Sequence, residues 1–222
     1  MKDRIHQYYD NLAKTYDENR FENSYGKYID AQERCFLNYF FKNKQYSNVL
    51  DLGCGTGRLL NFATHGVDFS QKMLNVAREK YPQKKLKIGE ISNIPFEENF
   101  DCIFCFHVIM HQTKEETQNF LNECHKKLSR NGILIFDYPT NTRKKTLSKE
   151  ENWHANNSFN TNEIFDLIKN NWYIVETNGI LFFPIHRIPK GLRELFLPLD
   201  TMICKTFLKK WASYKIIVLR KQ

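Results

Sequence analysis

Gly53, Gly55 and Gly57 alternate with Cys54 and Thr56 directly after the apolar run Val49-Leu50-Asp51-Leu52. Glycines at this spacing let the backbone lie against a ligand, because no Cβ intervenes and positive φ is allowed. A helix expected to follow them would turn unpaired N–H groups toward an anionic group. The dinucleotide fingerprint wants a third glycine where Arg58 stands, and Gly-Lys-Ser/Thr, the mark of a phosphate loop, is missing. The loop therefore suits close approach rather than pyrophosphate binding. Asp68, in Gly66-Val67-Asp68-Phe69-Ser70, stands where an acid at the end of a second strand accepts hydrogen bonds from two ribose hydroxyls. Glu90, in Gly89-Glu90-Ile91, can take the exocyclic amine of an adenine. His107, His111 and Asp137 follow; imidazole and carboxylate are the side chains that hold and move protons near neutral pH.

The elements that must position these residues show in the periodicity. Over 27–43, Ile29, Glu33, Phe36 and Phe40 recur at helical spacing beside Leu37 and Phe41. Asn48–Leu52 reads as a short strand, Gln71–Lys80 as a helix before Pro82, and Lys85–Ile88 as a weak strand. Phe100–Phe106 is a strongly apolar strand. Thr113 followed by Glu116 opens a helix with a capping box, and Asn131-Gly132 is read as its stop. Ile133–Phe136 is a buried strand ending at Asp137. Asn162–Asn170 reads as a helix, Trp172–Glu176 and Tyr214–Leu219 as strands. Alternating strands and helices in the first half indicate a parallel sheet covered on both faces.

The chain has 222 residues, 41% hydrophobic, 14% aromatic and 26% charged. That composition excludes a disordered tail, a collagen-like repeat and a disulfide-stapled miniprotein. No apolar run reaches the roughly 18 residues a spanning helix needs. The opening MKDRIHQYYDN has no apolar segment of a secretory signal, and six cysteines follow no framework spacing, so a cytoplasmic protein with reduced thiols is expected. Cys102-x-x-Cys105 has metal-like spacing, but on a strand the two side chains face opposite ways, so no metal site is assigned.

Taken together, these blocks resemble the class I S-adenosylmethionine-dependent methyltransferases, in the small-molecule branch with the ubiquinone/menaquinone and sugar methyltransferases. The family's LDxGCGTG stands here as Leu50–Gly57, its GxDxSxxML as Gly66–Leu74, and its Gly-acid…Pro-Phe run as Gly89–Phe96. Phe100–Ile103 and Leu128–Gly132 match its fourth strand and following turn, and Tyr9–Ala13 with Tyr16-Asp17 resemble its cap. The resemblance implies an α/β fold: a Rossmann-like seven-stranded, mostly parallel sheet with helices on both faces, an antiparallel last strand, a helical N-terminal cap and a helical insertion before the last strand. One domain is expected over residues 1–222, with the cap at 1–46, the cofactor-binding core at 47–140 and an acceptor-side half at 141–222.

The cofactor implied is S-adenosyl-L-methionine, with S-adenosyl-L-homocysteine as product. Asp51 and the loop Gly53, Cys54, Gly55 and Gly57 would hold its methionine end, with backbone near Cys105 and Phe106 and closure by Tyr16. Asp68 would bind the ribose, Phe69 and Met73 would flank the adenine, and Glu90 and Ile91 would read its edge. Glu90 replaces the commoner Asp. Asp68 follows Gly57 by only 11 positions, so the helix between them must be about two turns. Sugar O-methyltransferases of this branch place a His after strand four and an Asp at the end of strand five; His111 and Asp137 fit that pair as base and orienting acid. The acceptor is then a small molecule methylated on oxygen, a sugar or nucleotide-linked sugar. The alternatives are a quinone or lipid acceptor at a membrane surface, and a cofactor-binding partner protein without catalysis.

Net charge is +8, and the segment from Leu181 to Gln222 carries nine Lys/Arg against two acids. Within it a basic helical stretch at about 184–211, broken at Pro198, is expected to wall the acceptor pocket. There Arg187, Lys190 and Arg193, with His107, would suit an anionic acceptor. Peripheral membrane contact through the same stretch is the other expectation. Asp137-Tyr138-Pro139-Thr140 only superficially resembles the motif of DNA amino-methyltransferases, so DNA is not expected. Charge alone speaks for RNA, without an RNA-binding motif. His154 and His186 read as surface loop histidines, and nothing in the sequence sets an oligomeric state.

Overall fold

A computed structural model describes residues 2–141 and 158–222; His154 lies outside them. Three helices open the chain: α1 (Lys2–Leu12), α2 (Tyr16–Phe21) and α3 (Ser24–Phe41). Asn23 caps α3 by accepting from the N–H groups of Tyr25 and Gly26. The core then runs β1 (Val49–Leu52), β2 (His65–Asp68), α4 (Gln71–Lys80), β3 (Lys85–Ile88), β4 (Phe100–Cys105), α5 (Lys114–Lys127) and β5 (Leu128–Pro139). After α6 (Thr161–Ile168) come β6 (Trp172–Ile180), α7 (Arg193–Ile203) and β7 (Tyr214–Lys221).

The strands form a seven-stranded sheet in the order β3-β2-β1-β4-β5-β7-β6. All pairs are parallel except those of β7, which inserts antiparallel between β5 and β6. Alternate side chains feed two cores. Cys102 and Phe104 pack with Phe36, Leu37 and Phe40 of α3, while Ile103 and Cys105 pack with Phe120, Leu121 and Cys124 of α5. Cys102 and Cys105 thus lie on opposite faces, as the strand period requires. Among the described residues no helix is long and apolar enough to cross a membrane.

Three local expectations are corrected. No α-helix follows the glycine loop; a turn and a short 3-10 segment, Leu60–Phe62, take its place. With His65 already in β2, the segment is too short to wind a helix and still return to the sheet. The stop at Asn131-Gly132 comes late: α5 ends at Lys127 and β5 starts at Leu128. Asn131, at φ +62°, marks an irregularity where the β4–β5 register shifts. Pro198 does not break the insertion. It sits on the exposed side of α7 and removes one backbone hydrogen bond, while Asp200 pins the helix. Asp200 is fully buried and accepts from the Tyr28 hydroxyl at 3.0 Å and the Phe182 N–H at 2.9 Å. The rest of the insertion is 3-10 turns, at Ile185–Arg187, Lys190–Leu192 and Phe207–Trp211.

Candidate active site

The carboxyl ends of the parallel strands open onto a cavity of about 530 Å³. This is the edge at which an open α/β sheet binds its ligand. Gly55 lines the cavity at φ +52°, and a Cβ built there would meet no atom within 4 Å. That open space is what a loop shaped around a ligand leaves. Gly53, at φ +82°, has a different constraint: its Cβ would come within 2.5 Å of Val108 Cγ2, in the connection after β4.

Asp68 is the loop's anchor. Its carboxylate accepts from the N–H of Gly55 at 2.8 Å and of Ser70 at 2.9 Å. Burial pushes its pKa up to about 6, although these two donors oppose the shift. Lone pairs remain on both oxygens for a ligand at the cavity wall. Phe69 and the buried Met73 line the wall beyond it, and Glu90 and Ile91 stand past the end of β3.

The N-terminal helices close the opposite side. Tyr9 and Tyr16 line the cavity with their rings 5.8 Å apart, and Tyr9 and His6 meet Phe69 edge-on. Polar contacts tie this cap to the core: the Ser70 hydroxyl donates to Asp10, the Thr56 hydroxyl to Asp17, and Lys80 pairs with Asp17. Tyr9 also places its hydroxyl 3.1 Å from Nε2 of His111, on the short 3-10 turn Ile109–His111. Burial raises the Tyr9 pKa well above the usual phenol value, so the hydroxyl stays protonated.

His111 and Asp137 are not brought together. Cys105 pairs with Phe136 across β4 and β5, which sets the residues just beyond them side by side. Asp137 therefore meets His107: it accepts from the His107 backbone N–H at 2.7 Å, and Oδ2 lies 3.7 Å from Nδ1. His107, at φ +60°, lines the cavity and sends Nε2 to within 2.6 Å of Glu33 on α3. Arg58 closes the cluster, 2.7 Å from Glu33 and 2.6 Å from Asp30, over the ring of Phe21. Burial opposes the charge on Glu33, but Arg58 and His107 outweigh it and hold the carboxyl down to about 2. Burial likewise opposes charge on His107, and Glu33 and Asp137 outweigh it, so its pKa is raised. Burial lifts Asp137 to about 6. Glu33, His107 and Asp137 bring ligand atoms within 4.8 Å of one another, as a metal site would. Arg58 already supplies a cation to Glu33 there, and no metal is assigned.

Other expected site residues lie off the cavity wall. Asp51 is buried behind the loop, where burial pushes it up to about 8; the charge of Arg58 opposes the shift and that of Asp68 adds to it. The side chains of Cys54 and Cys105 pack in the two cores. Gly57 faces Tyr81 and Ala77 of α4, beside a smaller cleft, whereas Phe106 does line the cavity. Arg187 is exposed on its 3-10 turn, as is His186. Arg193 donates to the Ile188 carbonyl and the Ser24 hydroxyl, fastening the insertion to α3. Neither arginine lines the cavity, because the insertion packs along α3 instead of folding over the opening.

Sequence reasoning missed the roles of Glu33 and Arg58. The signals were present: an acid among the apolar positions of an amphipathic helix, and an arginine in place of a loop glycine.

A methyltransferase-domain family matches residues 50–136 of the chain. An uncharacterized protein of Methanocaldococcus jannaschii is 28% identical, covering 98% of this chain and 90% of its own. The magnesium protoporphyrin IX methyltransferase of Synechocystis, solved with S-adenosyl-homocysteine bound, aligns at a TM-score of 0.67 and 17% identity over 100% of both chains. The N-methyltransferase NodS of Bradyrhizobium japonicum, also with S-adenosyl-homocysteine, gives 0.68 and 13% over 97% of each. At such identities the structures speak for the fold. Residues 50–136 thus match a methyltransferase domain, and with its strand order and its glycine loop locked to Asp68 the chain has the fold of the S-adenosylmethionine-dependent methyltransferases.

Proposed function

We propose that the chain methylates a hydroxyl of a small-molecule acceptor, with His111 as general base. The open space at Gly55, the unfilled acceptor positions on Asp68 and the aromatic wall of Tyr9, Tyr16 and Phe69 fit S-adenosylmethionine. When bound, that cofactor supplies an electrophilic methyl on a sulfonium whose leaving group is neutral, so no general acid is needed. Alignment then supplies much of the rate, and an alcohol gains further from a base.

The observation that carries this reading is the 3.1 Å contact between the Tyr9 hydroxyl and His111 Nε2 at the cavity wall. Tyr9 remains protonated; with His111 in the tautomer that leaves Nε2 bare, the hydroxyl donates to Nε2 and keeps lone pairs that can accept from an acceptor hydroxyl. The proton leaving the acceptor would pass through Tyr9 and end on His111 Nε2. Gln112, Glu116 and Asn119 add polar groups to the same wall, which suits a sugar-like, polyhydroxylated molecule. Asp137 acts as a positioning residue, through the His107 backbone. With Arg193 committed to Ser24 and Ile188, an acceptor phosphate would have to find Arg187 or Lys190 beyond the cavity.

The test is methyl transfer to pools of sugars and nucleotide sugars, read as release of S-adenosyl-homocysteine. His111→Ala should cut turnover by roughly 10²–10⁴-fold, with calorimetric affinity for S-adenosyl-homocysteine nearly unchanged. Turnover close to wild type would remove His111 as the base.

A further inference from the structure

The insertion carries an apolar ridge that nothing in the described structure covers. Leu192, Leu195, Leu199 and Met202 recur along one side of α7 and its leading turn, at 47%, 74%, 44% and 59% exposure. Phe207, at 76%, and Trp211, at 43%, continue it through the next turn. A soluble surface rarely leaves so many large apolar side chains contiguous.

Charge says what kind of surface the ridge fits. Arg187, Lys190, Lys205 and Lys210 are exposed around it; Lys205 lies over the ring of Tyr39 and Lys210 over that of Trp211. Of the two acids in this region, Asp200 is fully buried and taken up by the Tyr28 hydroxyl and the Phe182 N–H, leaving only Glu194 at the surface. Apolar side chains flanked by lysines, with an indole and a phenyl ring at one end, are the pattern of a segment that lies in a bilayer interface. Each lysine near an anionic headgroup layer adds attraction, and its aliphatic stem can lie along the apolar ridge. A second copy of the chain is a poor occupant, since a symmetric contact would press two strongly basic faces together. The ridge also has a defined place in the fold. The insertion leaves the sheet at Ile180 and returns at Tyr214, and both residues pair at the edge where β5 ends at Pro139. The cavity opens at that same edge, and the ring of Tyr214 lies 6.1 Å from that of His107.

We propose that α7 and the following turn, through Leu195, Met202, Phe207 and Trp211 with Lys205 and Lys210, dock this enzyme on an anionic lipid bilayer. The docking is independent of which acceptor the cavity takes.

Vesicle flotation tests it. Full-length protein should float with phosphatidylcholine vesicles containing about a third phosphatidylserine. It should stay behind with pure phosphatidylcholine, and release as salt screens the charge. Leu195→Asp with Phe207→Asp should lower partitioning by tenfold or more, and Lys205→Glu with Lys210→Glu by a comparable factor. Affinity for S-adenosyl-homocysteine, unchanged in both variants, shows that they are folded. Absence of flotation, or flotation indifferent to both pairs of substitutions, overturns the proposal. So does a concentration-dependent dimer abolished by Leu195→Asp, which would assign the ridge to a second copy. Salt-sensitive retention on RNA without vesicle binding would assign the charge to nucleic acid and overturn it equally.

Discussion

On the β1–β2 side of the cavity, Asp51 and Asp68 are buried with no salt bridge reaching them among the described residues, and burial lifts them to about 8 and about 6. On the β4–β5 side, Glu33 is at least as buried, yet Arg58 and His107 hold it near 2. The same chemical group in the same kind of burial thus has two roles. Glu33 already has its cations and fastens α3 to the glycine loop and the end of β4. Asp68, on the cavity wall, is a carboxylate whose charge is disfavoured until a ligand brings hydrogen-bond donors or positive charge; Asp51, behind the loop, can feel only the ligand's charge. A buried charge that is paired belongs to the scaffold; one that is unpaired at a ligand cavity is reserved for the ligand.

The contrast should break most visibly at Glu33. Glu33→Ala leaves Arg58 and His107 facing an empty, dry position, and loss of one partner from a buried charge cluster costs about 3–5 kcal/mol. Urea unfolding at pH 7.5 measures it; a midpoint like that of wild type would mean that the cluster contributes no stability. Asp68→Asn tests the other wall. It should weaken S-adenosylmethionine binding by about 10–100-fold, the worth of hydrogen bonds to a charged group, while the ligand-free melting temperature does not fall. A large loss of stability with intact binding would make Asp68 a scaffold residue and erase the distinction.

The smallest effect concerns pH. Asp51 has a folded pKa raised above the roughly 3.9 of an unfolded chain. The stability linked to its proton is fully present below that value and is lost as pH rises through about 8. Glu33 has the opposite sign: its contribution is present above the unfolded value near 4.3 and is lost only as pH falls through about 2. Ligand-free protein should therefore melt a few degrees lower at pH 9 than at pH 6, at about 2–4 °C per kcal/mol for a chain of this size. Asp51→Asn should flatten that slope in thermal scans. Binding of the positively charged cofactor should strengthen over the same rise in pH, since it favours ionised Asp51 and Asp68. A slope unaffected by Asp51→Asn would place the titration elsewhere.

Much of the local structure was legible because its signals are local. Ser70 caps α4 through Met73, and the helix occupies Gln71–Lys80 as its periodicity predicts. Thr113 and Glu116 make the capping box that their spacing announces. The glycine loop and the acid ending the second strand were legible one by one, but Asp68 was read only as a ribose acceptor; its hydrogen bond from the Gly55 N–H, 13 residues back in sequence, was not foreseen. The partners of the histidines were not. His107 and His111 are four residues apart, and either could have met Asp137. The β4–β5 register gives Asp137 to His107, while the turn at Ile109–His111 carries His111 across to Tyr9, 102 residues away in sequence. The Arg187 and Arg193 assignments fell off the cavity for a related reason. Their charge was visible in the sequence, but the contact of Arg193 with Ser24 is not encoded near either residue.

By itself the sequence determined most of the order of strands and helices, the expected helix after the glycine loop excepted, together with the glycine turn at Gly53–Gly57 and the acid that ends the second strand, because these depend on φ, side-chain period and capping over a few residues. Tertiary structure alone decided which buried charges are satisfied and which wait at the cavity. Pairing needs atoms within a few ångströms, and the groups concerned, Glu33 on α3, Arg58 after the loop, His107 beyond β4 and Asp137 on β5, meet only when the sheet and the cap are assembled.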